Sequence, residues 1–239
     1  MLSIVIPAKN EEAYIGKLLK SIKDQSFKDY EIIVADAAST DKTVQIAKSY
    51  GAKVVKGGLP GPGRNRGAEI AKGQDILFLD SDVILPKGFL KENYGEFVKR
   101  KLDIATTYAK PLSKNVMDKL IFHEINIGYR IIAKIKPGAQ GFHIFVKKKW
   151  FDKVKGFDEK AVFCEDYDFV IRVSKKGGAF GILNGPHIKV SVRRLKKEGR
   201  VKFVAKGLYG VMYQMIKGPL YPGSFYYEFD AYKKRRLRK

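Results

Sequence analysis

Across the first hundred residues, short β-branched runs alternate with segments of helical period, and that alternation leaves few folds open. Leu2-Ser3-Ile4-Val5-Ile6-Pro7 reads as a strand, after which Ile15, Leu18, Leu19 and Ile22 recur at the spacing of an amphipathic helix. Glu31 to Asp36 gives a second strand, and Ser39, Thr40 and Asp41 are N-cap candidates for a helix through about Tyr50. Ala52 to Lys56 is a third strand, separated by the loop Gly57-Gly58-Leu59-Pro60-Gly61-Pro62-Gly63 from a helix carrying Ala68 and Ile70. Such alternation predicts an α/β fold: a Rossmann-like, mostly parallel sheet with helices on both faces, its ligands gathered at the carboxyl ends of the strands.

A fourth strand, Ile76-Leu77-Phe78-Leu79, runs into Asp80-Ser81-Asp82, and on a continuing strand both acids face one way. Hard cations such as Mg²⁺ or Mn²⁺ take oxygen ligands, and beside a diphosphate they need only one or two carboxylates. Read alone, the pair serves equally as a solvated strand end or a capping turn. Asp36 closes another strand and is expected to converge with Asp80 on the same sheet edge.

Beyond residue 100 the pattern changes. Leu102 to Ala109 reads as one strand, Asn115 to Ile135 as a long helix, Glu165 to Lys176 as another, and Ile182 and Ile188 to Val192 as short strands. A composition shift near Val192 divides a core domain over 1–195 from a basic, aromatic-rich, helical C-terminal extension over 196–239.

The apolar fraction of 45% is that of a folded chain, and 239 residues bury a sizeable core as one domain with an appendage. A single cysteine, Cys164, excludes an intrachain disulfide and fits a reducing compartment. Leu2 to Pro7 is too short for a signal peptide and Gly207 to Ile216 too short to span a bilayer, so the expected location is cytoplasmic. Forty-seven basic against twenty-five acidic residues leave a net charge of +22. That excess points to an anionic partner (nucleic acid, acidic membrane or phosphorylated substrate), the alternative being a lysine-rich solvated surface.

Two nucleotide-binding signatures are missing. Where a dinucleotide fold has its glycine fingerprint, this chain reads Pro7-Ala8-Lys9-Asn10-Glu11, and Gly58 to Asn65 lacks the Lys and Ser/Thr of a P-loop. The same glycine loop leads to Arg64 and Arg66 at a helix start, a place where backbone N–H groups and guanidinium together hold an anion.

Four segments then occur in a known order: Ser3 through Glu12, Val34 through Asp41 (Val34-Ala35-Asp36-Ala37-Ala38-Ser39-Thr40-Asp41), Arg64-Asn65-Arg66-Gly67 through Asp80-Ser81-Asp82, and Glu165-Asp166. Together they resemble glycosyltransferase family 2 over roughly residues 2–195. The resemblance implies the GT-A fold, with a nucleotide-sugar half over about 1–100 and an acceptor half over about 101–195. It also implies a UDP- or GDP-sugar donor, a divalent metal (Mg²⁺ or Mn²⁺) and inversion at the anomeric carbon. By the same resemblance Pro7, Ala8 and Glu11 line the nucleotide pocket, Asp36 reaches the base and Arg64 approaches the phosphates. Asp82 binds metal, Asp80 contacts ribose or metal, and Asp166, second in Glu165-Asp166, is the catalytic base. As helix-opening acids, Glu165 and Asp166 also have a purely structural reading against the helix dipole.

Two departures matter. The family's Asp-Asp-Gly-Ser becomes Asp36-Ala37-Ala38-Ser39, losing an acid and a glycine, and the Gln-x-x-Arg-Trp of processive members is replaced by Ser191-Val192-Arg193-Arg194. A non-processive transferase follows, with Arg193 and Arg194 either adding positive charge at the phosphates or serving as surface charge. His187 is a candidate third metal ligand, His143 an acceptor-side candidate, His123 a packing residue, and Trp150 core or acceptor platform.

The acceptor that the resemblance implies is a hydroxyl or phosphate on a carbohydrate or lipid-linked molecule. Arg200 to Lys239 interleaves cations with aromatics, including Phe225-Tyr226-Tyr227 and the terminal run Lys233 to Lys239, which suits peripheral contact with the cytoplasmic face of an anionic membrane. The rival classes are a nucleotidyltransferase, which releases pyrophosphate, and a nucleic-acid-binding protein, for which no reading motif is present.

Overall fold

The computed structural model describes residues 1–139, 141–161, 163–219 and 221. Four parallel strands, β1 (Leu2–Ala8), β2 (Tyr30–Asp36), β3 (Lys53–Lys56) and β4 (Asp75–Leu79), form one half of a seven-stranded sheet. They are connected by α1 (Ile15–Lys23), α2 (Thr43–Ser49) and α3 (Pro60–Glu69). After β4 come the two-residue β5 (Val83–Ile84), a π-helical turn at Leu90–Tyr94 and α4 (Gly95–Lys99). Next are β6 (Ile104–Thr106), β7 (Ala109–Pro111), α5 (Val116–Ile135), β8 (His143–Lys147) and α6 (Lys148–Lys153). The remainder comprises α7 (Glu165–Lys175), β9 (Phe180–Ile182), β10 (Ile188–Val190), α8 (Arg193–Glu198) and α9 (Arg200–Ile216).

The large sheet has the order β3-β2-β1-β4-β8-β6-β9, in which β8 alone runs antiparallel to its neighbours. A small sheet, β5-β10-β7, stands beside it. Alternation along the strands sorts the two cores. Ile4, Ile6, Ile32, Val34, Leu77 and Leu79 pack with α1 and Phe97 of α4, whereas Val5, Ile33, Ile76 and Phe78 pack with α3, α6 and α7. Both faces of the sheet are thus covered, which is why β1 is buried at every position.

Two local expectations are corrected, and one strand is unanticipated. The Gly/Pro segment is not all loop: α3 begins at Pro60, because proline at a first helical position loses no hydrogen bond and arrives with helical φ. Glycines then let α3 lie close on β1, where a Cβ at Gly67 would overlap Val5 Cγ1 and one at Gly63 would stand 3.0 Å from Pro7 Cβ. The predicted strand over residues 102–109 is two strands in different sheets, β6 and β7. β8, hidden in a glycine- and aromatic-rich stretch, inserts between β4 and β6.

The C-terminal helices pack back on the core. Leu195 is buried, Arg200 Nε meets Asp118 Oδ1 at 2.9 Å, and Val211 packs against the cluster of Tyr129 and Tyr167. Phe225-Tyr226-Tyr227 and Lys233 to Lys239 lie outside the described residues.

Candidate active site

The carboxyl ends of β1, β2 and β4 meet the start of α7 at one edge of the sheet, and most of the sequence-predicted residues collect there. Ala8 and Asp36 are register partners on β1 and β2, with Pro7 beside them. Asp36 Oδ2 accepts from Ser39 N at 3.0 Å, while its Oδ1 is enclosed without a partner among the described residues. The turn that makes this possible puts Ala38 at φ +56°, a conformation glycine adopts without strain.

β4 ends at Leu79, so Asp80 and Asp82 lie in the turn before β5 and not on a continuing strand. Their side chains take different partners. Arg64 Nη2 donates to Asp80 Oδ1 at 2.8 Å and Arg64 Nη1 to Glu165 Oε1 at 2.7 Å. Arg193 Nε pairs with Asp82 Oδ2 at 2.9 Å, and its Nη1 and Nη2 hold both oxygens of Glu11 at 2.8 and 2.6 Å. The Arg193 guanidinium also lies over the Tyr14 ring, 4.7 Å from its centroid. A cavity of about 370 Å³ opens at Asp82, lined by Tyr14, Lys17, Leu112, Ser191 and Arg193 among others.

Burial raises the proton affinity of Asp80 and of Asp82, against the opposing charges of Arg64 and Arg193; Arg194 lies close enough to act on both acids in the same sense as those arginines. Both carboxylates therefore stand in surroundings that favour an added positive charge.

Glu165 and Asp166 open α7, where free backbone N–H groups favour acids. Burial, reinforced by the negative charge of Glu165, pushes Asp166 up to about 7 even though Arg64 works the other way. Gly141, at φ +61°, passes so close that a Cβ there would meet Asp166 Oδ2 at 2.8 Å. Cys164, the residue before α7, is itself held at φ +58°.

Several expected roles are not what the structure brings together. Arg64 has a side chain only 3% exposed, with both terminal nitrogens occupied, so it clamps two acids and presents nothing to a phosphate. His187 lies on the far side of β10 from Ser191, the residue whose N–H meets Asp82 O at 3.2 Å; it adjoins Lys110 and Tyr108 in a different cavity. It does not join Asp80 and Asp82, and among the described residues no three His, Cys, Asp or Glu side chains cluster as a metal site. His143 is fully buried, its Nε2 accepting from Thr107 N at 2.6 Å, and burial lowers it to about 3. It pins β8 to the end of β6 and has no exposed surface. His123 is exposed, not packed. Trp150 packs on the core around Phe151 and Val173.

Sequence reasoning missed Tyr14 and Gly141. Tyr14 had no motif around it, whereas Gly141 was marked only by standing among glycines before a buried strand.

A profile described as Glycosyl transferase family 2 matches residues 3–154. The chain is 31% identical over 212 residues to the poly(ribitol-phosphate) beta-N-acetylglucosaminyltransferase TarS of Staphylococcus aureus strain Mu50, covering 82% of this chain and 36% of that protein. It is 35% identical over 136 residues to the poly(ribitol-phosphate) beta-glucosyltransferase of Bacillus spizizenii, covering 52% of this chain and 22% of that protein. The chain thus spans about a third or less of the length of these relatives. The crystal structure of S. aureus TarS 1-349 in complex with UDP-GlcNAc superposes with a TM-score of 0.65 at 26% identity, over 80% of this chain and 58% of that one. The mannosyltransferase PcManGT from Pyrobaculum calidifontis, solved in complex with GDP-Man and Mn²⁺, shares the fold at 17% identity and TM-score 0.63, over 87% of this chain and 64% of that one.

Proposed function

The chain belongs to glycosyltransferase family 2 and has the GT-A fold, and from that premise we propose that its cleft transfers one sugar from a UDP- or GDP-sugar to a hydroxyl or phosphate acceptor, with inversion. The observation that carries the reading is the Arg64 clamp, which joins Asp80, just past the end of β4, to Glu165 at the start of α7, 101 positions beyond Arg64 itself. On this reading a donor-side and an acceptor-side carboxylate are held side by side by one guanidinium.

On this reading Pro7 and Ala8 line the nucleotide and the unpartnered Asp36 Oδ1 accepts an N–H of the base, which removes the cost of leaving that oxygen unpaired. Asp80 and Asp82 suit a hard divalent cation: both are oxygen donors, and burial makes both short of positive charge. Mg²⁺ or Mn²⁺ bound there supplies Lewis-acid neutralisation of the diphosphate. Arg193 and Arg194 add positive charge on the same side, Arg193 exchanging its hold on Glu11 and Asp82 for phosphate oxygens.

Asp166 accepts the proton of the acceptor hydroxyl as that oxygen bonds to the anomeric carbon and the carbon's bond to the diphosphate oxygen breaks. A base positioned in this way contributes about 10² to 10⁴ in rate. One displacement suffices for inversion, so Glu165 is left to position the clamp and needs no covalent role.

A panel of UDP- and GDP-sugars with Mn²⁺ or Mg²⁺ tests the proposal through release of free nucleoside diphosphate. Turnover is expected with at least one donor and is abolished by Asp82→Ala. Release of pyrophosphate instead, or undiminished turnover in the variant, refutes it.

We also propose a peripheral membrane contact. No helix among the described residues is long and apolar enough to cross a bilayer. However, α5 exposes Leu120, Ile127 and Ile131, and the neighbouring α9 exposes Leu208, Met212 and Ile216. Arg130, Lys134 and Lys202 are exposed on the same helices, so the occupant that matches these apolar positions is an anionic lipid surface. Binding to phosphatidylglycerol vesicles is expected and is lost in Leu208→Glu/Met212→Glu; indifference of the unaltered chain to such vesicles would exclude it.

A further inference from the structure

A second cavity, of about 350 Å³, lies on the small sheet and is lined by Lys110, Lys119, Lys189, His123, His187 and Asn126 over a floor that includes Phe122. Lys110 and Lys189 are register partners on the parallel strands β7 and β10, so their side chains leave the same face of the sheet. Lys119 and His123 stand one turn apart on α5. No acid lines the cavity, and none of the three ammonium groups has an ion pair among the described residues. Like charges gathered without counter-charge repel one another, which an entering anion reverses.

The walls are fixed in place. Asn126 Oδ1 accepts from Ala109 N at 3.3 Å and Asn126 Nδ2 donates to Ala109 O at 2.8 Å, tying α5 to β7. The His187 ring rests edge-on against Tyr108, and its Nδ1 is enclosed without a partner. Two sets of neighbouring residues lie between the cavity and the candidate active site. Along the small sheet, Pro111 lines this cavity and Leu112 the one at Asp82. Across the aromatic wall, Tyr108 touches both His187 and Tyr129, and Tyr129 lies within the field of Asp166.

We propose that this cavity is a subsite for a phosphate group carried by the acceptor, a phosphomonoester or phosphodiester held by Lys110, Lys119 and Lys189 while a hydroxyl of the same molecule reaches Asp166. The assignment rests on the transferase reading for its acceptor role. Its chemistry, three unpaired ammonium groups around one cavity, stands apart from that reading.

The chain has three histidines, and they make the test local. In the histidine proton spectrum at constant pH, inorganic phosphate is expected to shift the His123 and His187 signals saturably and to leave those of buried His143 in place. In Lys110→Gln/Lys119→Gln/Lys189→Gln the phosphate concentration at half-shift rises by at least about ten-fold. Glycerol 3-phosphate reproduces the shifts and glycerol does not. Unmoved His123 and His187 signals, or the same midpoint in the triple variant, overturn the proposal. Shifts produced by phosphatidylglycerol vesicles but by neither soluble phosphate also overturn it, assigning the cavity to a lipid headgroup. Shifts that persist in a chain with no donor turnover remove the transferase reading and leave a phosphate site.

Discussion

Arg64 and Asp80 meet at 2.8 Å, one from a helix packed beneath the sheet and the other from the turn at its edge. Because Arg64 simultaneously holds Glu165 and the carbonyl of Gly141 at 3.2 Å, a single guanidinium sets the spacing between the two acid pairs of the cleft. Arg64→Met removes that spacer and leaves two carboxylates uncompensated. Loss of a buried partner costs about 3 kcal/mol or more, so the urea midpoint falls and donor turnover drops with it. Arg64→Lys restores one contact but not the fork, and regains less than half the lost stability.

Asp166→Asn separates chemistry from stability. The variant retains UDP binding and loses transfer by about 10² to 10⁴. Since the folded-state pKa of Asp166 is raised to about 7, above its unfolded value near 4, the native state binds this proton more tightly than the unfolded chain does. The carboxylate's contribution is therefore unfavourable once the pH passes from about 4 to about 7. Asn removes that burden, so the variant melts several degrees higher than the parent at pH 8 and no higher at pH 4. A lower Tm at pH 8 would contradict the buried-charge account.

The same group sets the pH dependence of transfer. The base works as carboxylate, so at limiting acceptor the rate climbs about ten-fold per pH unit below about 7 and levels off above it. Initial rates between pH 5.5 and 8.5 measure the inflection, and the residual activity of Asp166→Asn lacks it.

Arg193 lies where a cation at Asp82 competes with it. Arg193→Ala frees Asp82 Oδ2 and both oxygens of Glu11. Titrated without nucleotide, Mn²⁺ binds the variant more tightly than the parent, by Coulomb attraction to the released acids. UDP, lacking a phosphate partner, binds it more weakly. Calorimetry with each ligand measures the two opposite changes; parallel changes would contradict the exchange of partners.

Ala38 occupies a left-handed backbone conformation where its Cβ is a liability. Ala38→Gly relieves about 1 kcal/mol of that strain, partly offset by the greater freedom of glycine in the unfolded chain. The denaturation midpoint therefore rises slightly, with UDP binding unchanged.

Local periodicity, Asp36 closing a strand, the acids after β4 and the acids opening α7 were all legible in the linear chain, because burial of one face imposes a repeat on neighbouring residues. The partners of those acids were not. Arg193 reaches Glu11 across 182 positions, and no local pattern encodes which cation such a carboxylate meets. His187 shows the same limit: its place near the arginines in sequence suggested a ligand, yet β10 carries it to the opposite end of a three-residue strand, into a lysine-lined cavity. β8 escaped notice because its pairing with β4 and β6 depends on contacts that only the folded chain assembles. Sequence alone thus determined the alternating layers and which residues stand at their ends, since those follow from neighbours a few positions apart. The tertiary structure decided which charges face one another, since distant segments choose partners by the packing of the whole.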